Sequence, residues 1–496
     1  MKRVVRGAIM PLLAGTATEG LGLRDQVYKT CLAAILGGRL LPGSRLPSAR
    51  TLAADWRVAR NTVDDALAQL HGEGFLVRRV GAGTFVAAQV PGRLRGGVPL
   101  KRRQPSALGR KALVSVRGRS ASASHASESP PRPAPFLAGL PALDAFPLAV
   151  WRRLAARRWR VGGSSLLGYF PSLGHEPLRE AIARMLATTR GVDCDAGQVM
   201  IVNSAMQAID LIARVLLDPA DSVWVEDPCV PNLRAALAMS GARVAAIPVD
   251  ADGIDVDYGQ RVAPGAGLVY VTPSCQYPLG VTLSLERRLA LLRFGEKSGA
   301  WIVEDDYQSE FNYAGRPLAA VHSLDRGGRT IYVGTFTNSV FPSLRIAYLV
   351  LPLPLVRVFG AVRRQLDDHT HGFMQAVLAD FIDGGHFAAH VRKMRAVYQG
   401  RRDALAAACG RALSPARLGP TNGGMNAALH LPARWPDEIV AAGAQAAGLH
   451  VVPLSRYRSS GARRQNGLLL GYTALGERRI EQGIARLAGV LGPGRR

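Results

Sequence analysis

The first ninety residues carry apolar positions first at helical and then at strand spacing. Apolar residues recur every three to four positions over residues 24–37, which predicts a helix. Ser48 is placed to cap a second helix over 49–56, and a third helix is expected over 60–72. Residues 74–87 alternate between apolar and polar and contain a glycine-rich turn, which predicts a two-stranded hairpin. The pattern is that of a small helical unit with a wing.

Residues 91–134 show no such periodicity. They are rich in Ser, Pro, Arg and Ala, a composition that favours a flexible linker. The linker divides the chain into a winged helix-turn-helix unit, expected over 17–90, and a second domain, expected over 135–496.

Predicted helices alternate with buried strands in the second domain. Helices over 174–190 and 204–217 flank a strand near 198–202. Further apolar runs typical of buried strands lie at 222–225, 243–248, 267–271, 301–303, 330–333 and 345–350. The alternation predicts an α/β domain with a mostly parallel sheet.

The pattern changes again near residue 365. Two long amphipathic helices, over 374–383 and 386–410, precede shorter strands and helices. This predicts a smaller α+β lobe over about 365–496, so that the chain as a whole is an α/β multidomain protein.

Positive charge is concentrated in the first third of the chain. The net charge is +25, of which residues 1–160 carry +19 (27 Lys and Arg against 8 Asp and Glu). The remaining residues carry only +6 (35 against 29). This asymmetry favours a polyanionic partner at the N-terminal end.

Composition also narrows the cellular setting. No apolar run reaches the length of about 18 residues that a membrane span needs, and the apolar start of the chain is interrupted by Pro11. The five cysteines are scattered, odd in number and without metal-ligand spacing. We therefore expect a cytoplasmic protein with free thiols, no metal site and no membrane partner.

Polar residues that suit DNA contact lie at the helix starts and at the wing. In a helix-turn-helix the second helix enters the major groove by its N-terminus, and the helix over 60–72 begins with Arg60, Asn61 and Thr62. The expected phosphate and wing contacts are Arg45, Ser48, Arg50, Gly81, Gly83 and Thr84. These residues predict a double-stranded DNA site.

Four motifs in order strengthen this interpretation. RLPSAR at 45–50, RNTV at 60–63, EGFL at 73–76 and GAGTFV at 81–86 together resemble the GntR-type winged helix. One departure is Ala59, where the family usually has a serine that would cap the following helix, a contribution of about 1 kcal/mol. A winged helix that contacts only protein remains the alternative.

A second group of motifs lies in the α/β domain. The carboxylates of EDDYQSEFNY at 304–313 follow a buried strand, and ligands bind at the carboxyl edge of parallel sheets. Together with GHEPLR at 174–179, SCQYPLG at 274–280 and YVGTFTNSVFPSLR at 332–345, they resemble the MocR-type regulators. Those proteins join a GntR-type winged helix to a fold-type I aminotransferase domain.

The resemblance implies a homodimer, pyridoxal 5′-phosphate as cofactor, and an effector that is the cofactor or an amino compound. By position, Asp305 would face the pyridine nitrogen and Tyr307 the phenolic oxygen of the ring. Thr337 and Arg345 would bind the phosphate, above the helix start at Ser204, Ala205 and Met206. Retention of Asp305 and Tyr307 as inherited scaffold is the alternative.

The sequence departs from the family at the positions that carry the cofactor chemistry. Asn338 occupies the position of the Schiff-base lysine, and an amide cannot condense with an aldehyde. Four further family positions are replaced: Val230 stands for the stacking tyrosine, Ser204 for a glycine, Leu279 for a threonine and Cys275 for a frequent histidine. Residues 468–472 also lack the arginine with which aminotransferases bind the substrate carboxylate. The only lysines after residue 160 are Lys297 and Lys393, both on predicted helices away from the sheet edge.

The sequence therefore predicts a DNA-binding regulator that is not an enzyme and has no catalytic residue. Its effector domain would bind pyridoxal or pyridoxamine phosphate without a covalent bond, or another small anion, or no ligand. Two further hypotheses stay open: an active aminotransferase with an attached DNA-binding arm, and a dimeric DNA-binding scaffold that needs no ligand.

Overall fold

The computed structural model describes residues 21–90, 115, 118, 134–313, 315, 318–459 and 466–492. The chain forms two compact units, Met1–Leu113 and Val114–Arg496. Most of the predicted linker over 91–134 lies outside the described residues, as do the first residues of the predicted 17–90 unit.

The first unit is a three-helix bundle with a hairpin. Its elements are α1 (Leu23–Leu36), α2 (Ala49–Trp56), α3 (Arg60–Gly72), β1 (Leu76–Arg79) and β2 (Gly83–Val86). The strands pair antiparallel with Leu76 opposite Val86, and a core that includes Val27, Trp56 and Leu70 holds the helices together. The predicted winged helix-turn-helix is confirmed.

The large lobe of the second unit is built around an eight-stranded sheet. Its strands are β3 (Val199–Val202), β4 (Ser222–Asp227), β5 (Arg243–Asp250), β6 (Gly253–Ile254), β7 (Ala266–Val271), β8 (Trp301–Asp306), β9 (Thr330–Thr335) and β10 (Ala347–Val350). Its helices are α4 (Leu148–Val161), α5 (Glu176–Arg190), α6 (Ala205–Leu216), α7 (Pro231–Ser240), α8 (Val256–Val262), α9 (Leu285–Ser298), α10 (Val321–Leu324), α11 (Leu353–Leu366) and α12 (Gly372–Asp383).

The sheet order is β3-β10-β9-β8-β7-β4-β5-β6. Strands β5, β4, β7, β8 and β9 run parallel, while β10 is antiparallel to both its neighbours and β6 to β5. Apolar residues from the covering helices pack on both faces in separate clusters, which explains why the strands read as continuous apolar runs. The prediction of a mostly parallel α/β sheet is confirmed.

Strand β8 extends three residues beyond the predicted apolar run. It continues through Glu304, Asp305 and Asp306, all buried. The carboxylate of Glu304 accepts the backbone N–H groups of Val321 and His322 at 3.0 and 2.8 Å. Buried carboxylates can end a strand when such donors satisfy them, and hydrophobic spacing alone does not reveal this.

The small lobe contains the long helix α13 (His386–Ala412), with α14 (Asp437–Ala446) and α15 (Glu477–Leu491). Its sheet has the order β11-β12-β14-β13, formed by β11 (Arg417–Leu418), β12 (Asn426–His430), β13 (Val452–Pro453) and β14 (Gly467–Gly471). Phe136 and Ala142, from before the large sheet, are part of its core. Helix α12 instead packs in the large lobe, through Phe373 and Phe381.

Candidate effector site and DNA-binding surface

The two helices of the helix-turn-helix begin differently. Ser48 accepts a hydrogen bond from the backbone N–H of Thr51 at 3.1 Å and so caps α2. Arg57, in the left-handed region at φ +52°, ends α2 and turns the chain toward α3. Ala59 stands at the N-cap of α3 in an extended conformation but offers no side-chain acceptor. The first turn of α3 therefore leaves its backbone N–H groups without a side-chain cap.

The wing is joined to the segment before α2. Arg45 forms an isolated bridge with Phe85, and the N–H of Leu46 donates to the carbonyl of Thr84 at 2.9 Å. A Cβ at Gly83, where φ is +106°, would lie 3.0 Å from Nε of Arg45. The close approach of Arg45 to the wing therefore depends on a glycine at this position.

The predicted DNA-contacting residues are accessible. Seven are exposed: Arg45, Ser48, Arg50, Arg60, Asn61, Gly81 and Gly83. Thr62 and Thr84 are half-buried. They occupy the starts of α2 and α3 and the wing, the parts of a winged helix-turn-helix that face the duplex.

A cavity of about 270 Å³ lies at the carboxyl edge of the large sheet. It is bounded by the ends of β4, β7, β8 and β9 and by the start of α6. Ligands bind at this edge in open α/β sheets. All seven residues predicted to bind the cofactor line it, together with Asn338: Ser204, Ala205, Met206, Asp305, Tyr307, Thr337 and Arg345.

We call this cavity the effector pocket. Its inner end is acidic. Oδ2 of Asp305 accepts the hydroxyl hydrogen of Tyr270, whereas Oδ1 is buried without a hydrogen-bond partner among the described residues. Burial raises the pKa of Asp305 to about 7, against the lowering effect of the Tyr270 hydroxyl. Burial likewise raises the pKa of Glu226 to about 7, although Thr272 donates to it.

An unpartnered buried acceptor is costly, and a cationic N–H donor would satisfy it. The free Oδ1 of Asp305 therefore fits the protonated ring nitrogen of a pyridoxal-type cofactor. A positively charged neighbour would also return this carboxyl group to its ionised form.

Tyr307 and Asn338 lie side by side in the pocket. The hydroxyl of Tyr307 donates to the carbonyl of Cys275 at 2.8 Å. Nδ2 of Asn338 donates to the carbonyl of Tyr307 at 3.3 Å. The side chain at 338 thus lines the pocket and presents an amide to it.

The opposite end of the pocket offers anion-binding groups. The hydroxyl of Ser204 caps α6 by accepting from the N–H of Gln207 at 3.2 Å, and the first-turn N–H groups of α6 have no intrahelical acceptor. Thr337 pairs with Thr335 through their hydroxyls at 3.0 Å. Arg345 is exposed, has φ +54°, and lies two residues before the start of β10. This end of the pocket suits a phosphate, because it combines the start of α6 with the hydroxyls of Thr335 and Thr337 and the guanidinium of Arg345.

The residues that replace family positions leave the pocket without an aromatic ring at 230 and, among its described lining residues, without a lysine. Val230 lines the pocket where an aromatic ring was expected. Lys297 and Lys393 are exposed, on α9 and α13, and neither lines the pocket. No described lysine is therefore available to the cavity.

Sequence reasoning missed several polar residues of the pocket, among them Tyr270, Glu226 and Asn426. Tyr270 bonds Asp305, Glu226 adds a second carboxylate, and Asn426 reaches the cavity from the small lobe. Tyr270 and Glu226 end strands that neighbour each other in the sheet, so their position at strand ends was the available signal. Nothing in the local pattern around Asn426 pointed to the pocket.

Comparison with known proteins gives a consistent result for both units. Residues 23–86 match the model of bacterial regulatory proteins of the gntR family, and residues 139–465 match that of aminotransferase class I and II. The chain is 38% identical to the probable rhizopine catabolism regulatory protein MocR of Rhizobium meliloti, over 94% of this chain and 93% of that protein. The chain belongs to the MocR-type transcription regulators.

Other relatives agree with membership in the MocR-type family. The HTH-type transcriptional regulator TauR of Rhodobacter capsulatus is 33% identical over 95% of this chain and 96% of its own length. Among solved structures, Pyrococcus horikoshii kynurenine aminotransferase matches with a TM-score of 0.67 and 28% identity, covering 78% of this chain and 97% of that one. The protein is thus a GntR-family transcription regulator with an aminotransferase-like domain, and that domain class is associated with pyridoxal 5′-phosphate.

No described helix combines the length and apolar character that crossing a bilayer requires. The described residues also contain no group of three or more His, Cys, Asp or Glu side chains placed to hold a metal ion.

Proposed function

We propose that this regulator senses a pyridoxal-type phosphate without bonding to it covalently and does not transaminate. The single observation that carries the proposal is Asn338, which lines the effector pocket at the position where the family resemblance expects the lysine. Its amide nitrogen is not nucleophilic and is engaged with the carbonyl of Tyr307.

Each end of the ligand would have its own partner. Asp305 would hold the ring nitrogen through its free Oδ1, and Tyr307 would lie beside the ring's phenolic oxygen. The phosphate would lie against the start of α6 at Ser204, Ala205 and Met206, with Thr337 and Arg345. When bound, a pyridoxal-type cofactor supplies an electron-withdrawing ring; here the residues bind and orient it without a bonding amine.

The DNA-binding side of the proposal rests on the accessible residues at the helix starts and the wing. Arg45, Arg50 and Arg60 would contact phosphates or base edges of double-stranded DNA. Ser48, Asn61, Thr62, Gly81, Gly83 and Thr84 complete the proposed surface.

A homodimer is supported by exposed apolar side chains in the second unit. Trp159, Val161, Leu167 and Tyr169 lie on or just after α4 with exposed fractions between 61% and 91%. Contiguous exposed apolar residues mark interaction surfaces. The five cysteines are all free thiols, which supports action in the reducing cytoplasm.

The decisive experiment combines native mass spectrometry of the purified protein with the variant Asn338→Lys. We expect the wild type to gain the mass of pyridoxal or pyridoxamine phosphate reversibly and to show no borohydride-trapped lysine. We expect Asn338→Lys to acquire the visible absorbance of a lysine-linked cofactor, because the surrounding contacts remain.

Asn203→Lys, one residue before the cap of α6 and outside the pocket lining, is the matched control and should acquire no such absorbance. A borohydride-trapped lysine in the wild type would contradict the proposal and favour an active aminotransferase. Absence of any bound ligand in both wild type and Asn338→Lys would favour a scaffold that needs none.

A further inference from the structure

A second and larger cavity, of about 540 Å³, lies on the other face of the large sheet. It is bounded by α5, β9, β10, the end of α12 and the first turns of α13. Successive residues of a strand point to opposite faces. Asp305 of β8 accordingly lines the effector pocket, while Asp306 pairs with Arg190, which lines this second cavity. We call it the α5–α13 cavity.

The walls of the α5–α13 cavity are largely apolar. Tyr348 from β10 and Phe387 and Val391 from α13 line it, with Met185 from α5 and Ile382 from α12. The volume is within the range of small-molecule sites, which typically combine apolar walls with a few polar groups. The walls therefore suit a ligand with a sizeable apolar body.

One carboxylate oxygen in the cavity has no hydrogen-bond partner among the described residues. Glu310 lines the cavity, and its Oε2 is buried without a hydrogen bond among the described residues. Burial raises the pKa of Glu310 to about 7, and nearby Asp306 raises it further, against the lowering effects of Arg190 and Arg395. A buried acceptor of this kind favours a ligand that brings a cationic donor.

Behind the inner wall, one oxygen of Asp306 is held by three donors. Asp306 accepts from Arg190 Nε at 2.6 Å and from Ser309 at 2.7 Å, and Tyr332 donates to it at 2.5 Å. Oδ1 of Asp306 is also buried without a partner, but Asp306 does not line the cavity. Among the described lining residues, Glu310 therefore carries the unpartnered buried acceptor.

Positive charge lies next to Glu310. Nε of Arg395 donates to the backbone carbonyl of Glu310, so this guanidinium adjoins the carboxylate. Arg392, one turn earlier on α13, is exposed and lines the cavity. Of the other two arginines that line the cavity, Arg184 pairs with Asp383 at 2.8 Å and Arg190 with Asp306. No described carboxylate forms a close ion pair with Arg392 or Arg395.

We propose that the α5–α13 cavity is a second ligand site, which binds free α-amino acids with a large apolar side chain. The acidic and basic groups are adjacent, which matches an ammonium and a carboxylate carried by one carbon atom. The ammonium pairs with Glu310 and the carboxylate with Arg395 and Arg392. The side chain packs against Tyr348, Phe387 and Val391. This site is separate from the effector pocket and does not depend on the cofactor proposal.

Calorimetric titration of the full chain with L-phenylalanine tests the site. Phenethylamine, which lacks the carboxylate, and 3-phenylpropionate, which lacks the ammonium, are the matched probes. We expect L-phenylalanine to bind at least about tenfold more tightly than either, because each probe leaves one charged group in the cavity unpaired.

Two pairs of variants test whether L-phenylalanine binds in the α5–α13 cavity. Ala388→Phe adds a ring from an exposed position of α13 that lines the cavity, whereas Ala389→Phe adds the same ring at an exposed neighbour outside the lining. Arg392→Gln removes a lining charge, and Lys393→Gln removes an exposed charge outside the lining. We expect Ala388→Phe to abolish binding, Arg392→Gln and Glu310→Gln to weaken it about tenfold, and both controls to retain wild-type affinity.

Two results would overturn the proposal. One is that the wild type does not bind L-phenylalanine at millimolar concentration, and the other is that Ala388→Phe and Ala389→Phe bind it with equal affinity. Binding that is lost in Asp305→Asn but kept in Ala388→Phe would place the amino acid in the effector pocket and also overturn it. The cofactor proposal is tested by a different measurement, the mass of bound pyridoxal-type phosphate in native mass spectrometry, so its failure can be distinguished from failure of this one.

Discussion

Two consecutive aspartates at the end of β8 have opposite environments. Oδ1 of each is buried without a partner among the described residues, but Asp305 lines the effector pocket, whereas Asp306 faces the other side and pairs with Arg190 at 2.6 Å through Oδ2. Both are buried, with 8% and 3% of their surface exposed. One carboxylate is thus poised for a ligand and the other is a structural partner of a buried guanidinium.

Replacing Asp305 by Asn should stabilise the ligand-free protein at alkaline pH. The folded-state pKa of about 7 lies above the ordinary value of 3.8, so the folded state binds the extra proton between these values. Stability therefore falls as pH rises from about 4 to about 7, and the variant escapes this loss. We expect a gain on the order of 1–3 kcal/mol at pH 8 and almost none at pH 4, measured by denaturant unfolding.

The same variant should bind pyridoxal-type phosphates more weakly, because it cannot form an ion pair with the ring nitrogen. Asp306→Asn is the matched comparison. It should destabilise the protein by about 3–5 kcal/mol, since it leaves Arg190 buried and uncompensated. Equal effects of the two substitutions on stability would contradict this account.

Serine caps are used repeatedly at the helix starts of this protein. Ser48, Ser204 and Ser284 each accept a backbone N–H from the first turn of the helix that follows. The helix proposed to enter the major groove, α3, lacks this feature because Ala59 stands at its N-cap. The backbone there is extended, at φ −63° and ψ 142°, which is the conformation a capping serine adopts.

Ala59→Ser should therefore stabilise the winged-helix unit. The added hydroxyl can accept a first-turn N–H of α3, worth about 0.5–1 kcal/mol. Thermal unfolding followed through Trp56, which is buried in that unit, measures the effect. Ala68→Ser, at an exposed interior position of the same helix, is the control and should destabilise by about 0.5 kcal/mol. A lower midpoint for Ala59→Ser than for the wild type would show that the cap does not form.

Charge and function are divided between the two halves of the molecule. The first 160 residues carry +19 of the net +25, and the accessible arginines at the helix starts and wing belong to that third. Residues 161–496 carry only +6, and both cavities lie in the second unit. We therefore expect electrostatic attraction to DNA to be a property of the first unit and ligand recognition to be a property of the second.

DNA affinity should fall steeply with salt, and Arg50→Gln should make the dependence shallower. Each phosphate contact contributes about 0.9 to the slope of log K against log salt, so loss of one contact should reduce the slope by about that amount. Fluorescence anisotropy with a labelled duplex at several salt concentrations measures it.

Arg24→Gln is the control for this substitution. Arg24 is an exposed arginine of α1 that donates to Gln69 near the other end of α3. Its loss should leave the slope unchanged. A similar reduction in both variants would indicate general charge attraction instead of a defined contact.

Local sequence was sufficient to predict the elements and the residues at their ends. Helix caps and apolar periodicity act within one or two turns, so α2, α3, α6 and the wing lie where the pattern predicted them. The seven cofactor-site candidates came from the resemblance to the MocR-type regulators, carried over by position, and all seven line one cavity. Their roles in binding remain predictions.

Only the tertiary structure decided which of these ends meet and what lies on the far face of the sheet. Ser204, Asp305 and Arg345 converge because β3, β10, β9 and β8 are neighbours, an order that does not follow the chain. The bond from Tyr270 to Asp305, the unpartnered oxygen of Glu310 and the α5–α13 cavity all depend on packing between distant segments. Local periodicity can predict which face of a strand is buried. The atoms that contact a side chain there come from other segments, from 35 residues away for Tyr270 and Asp305 to 116 residues away for Arg190 and Asp306.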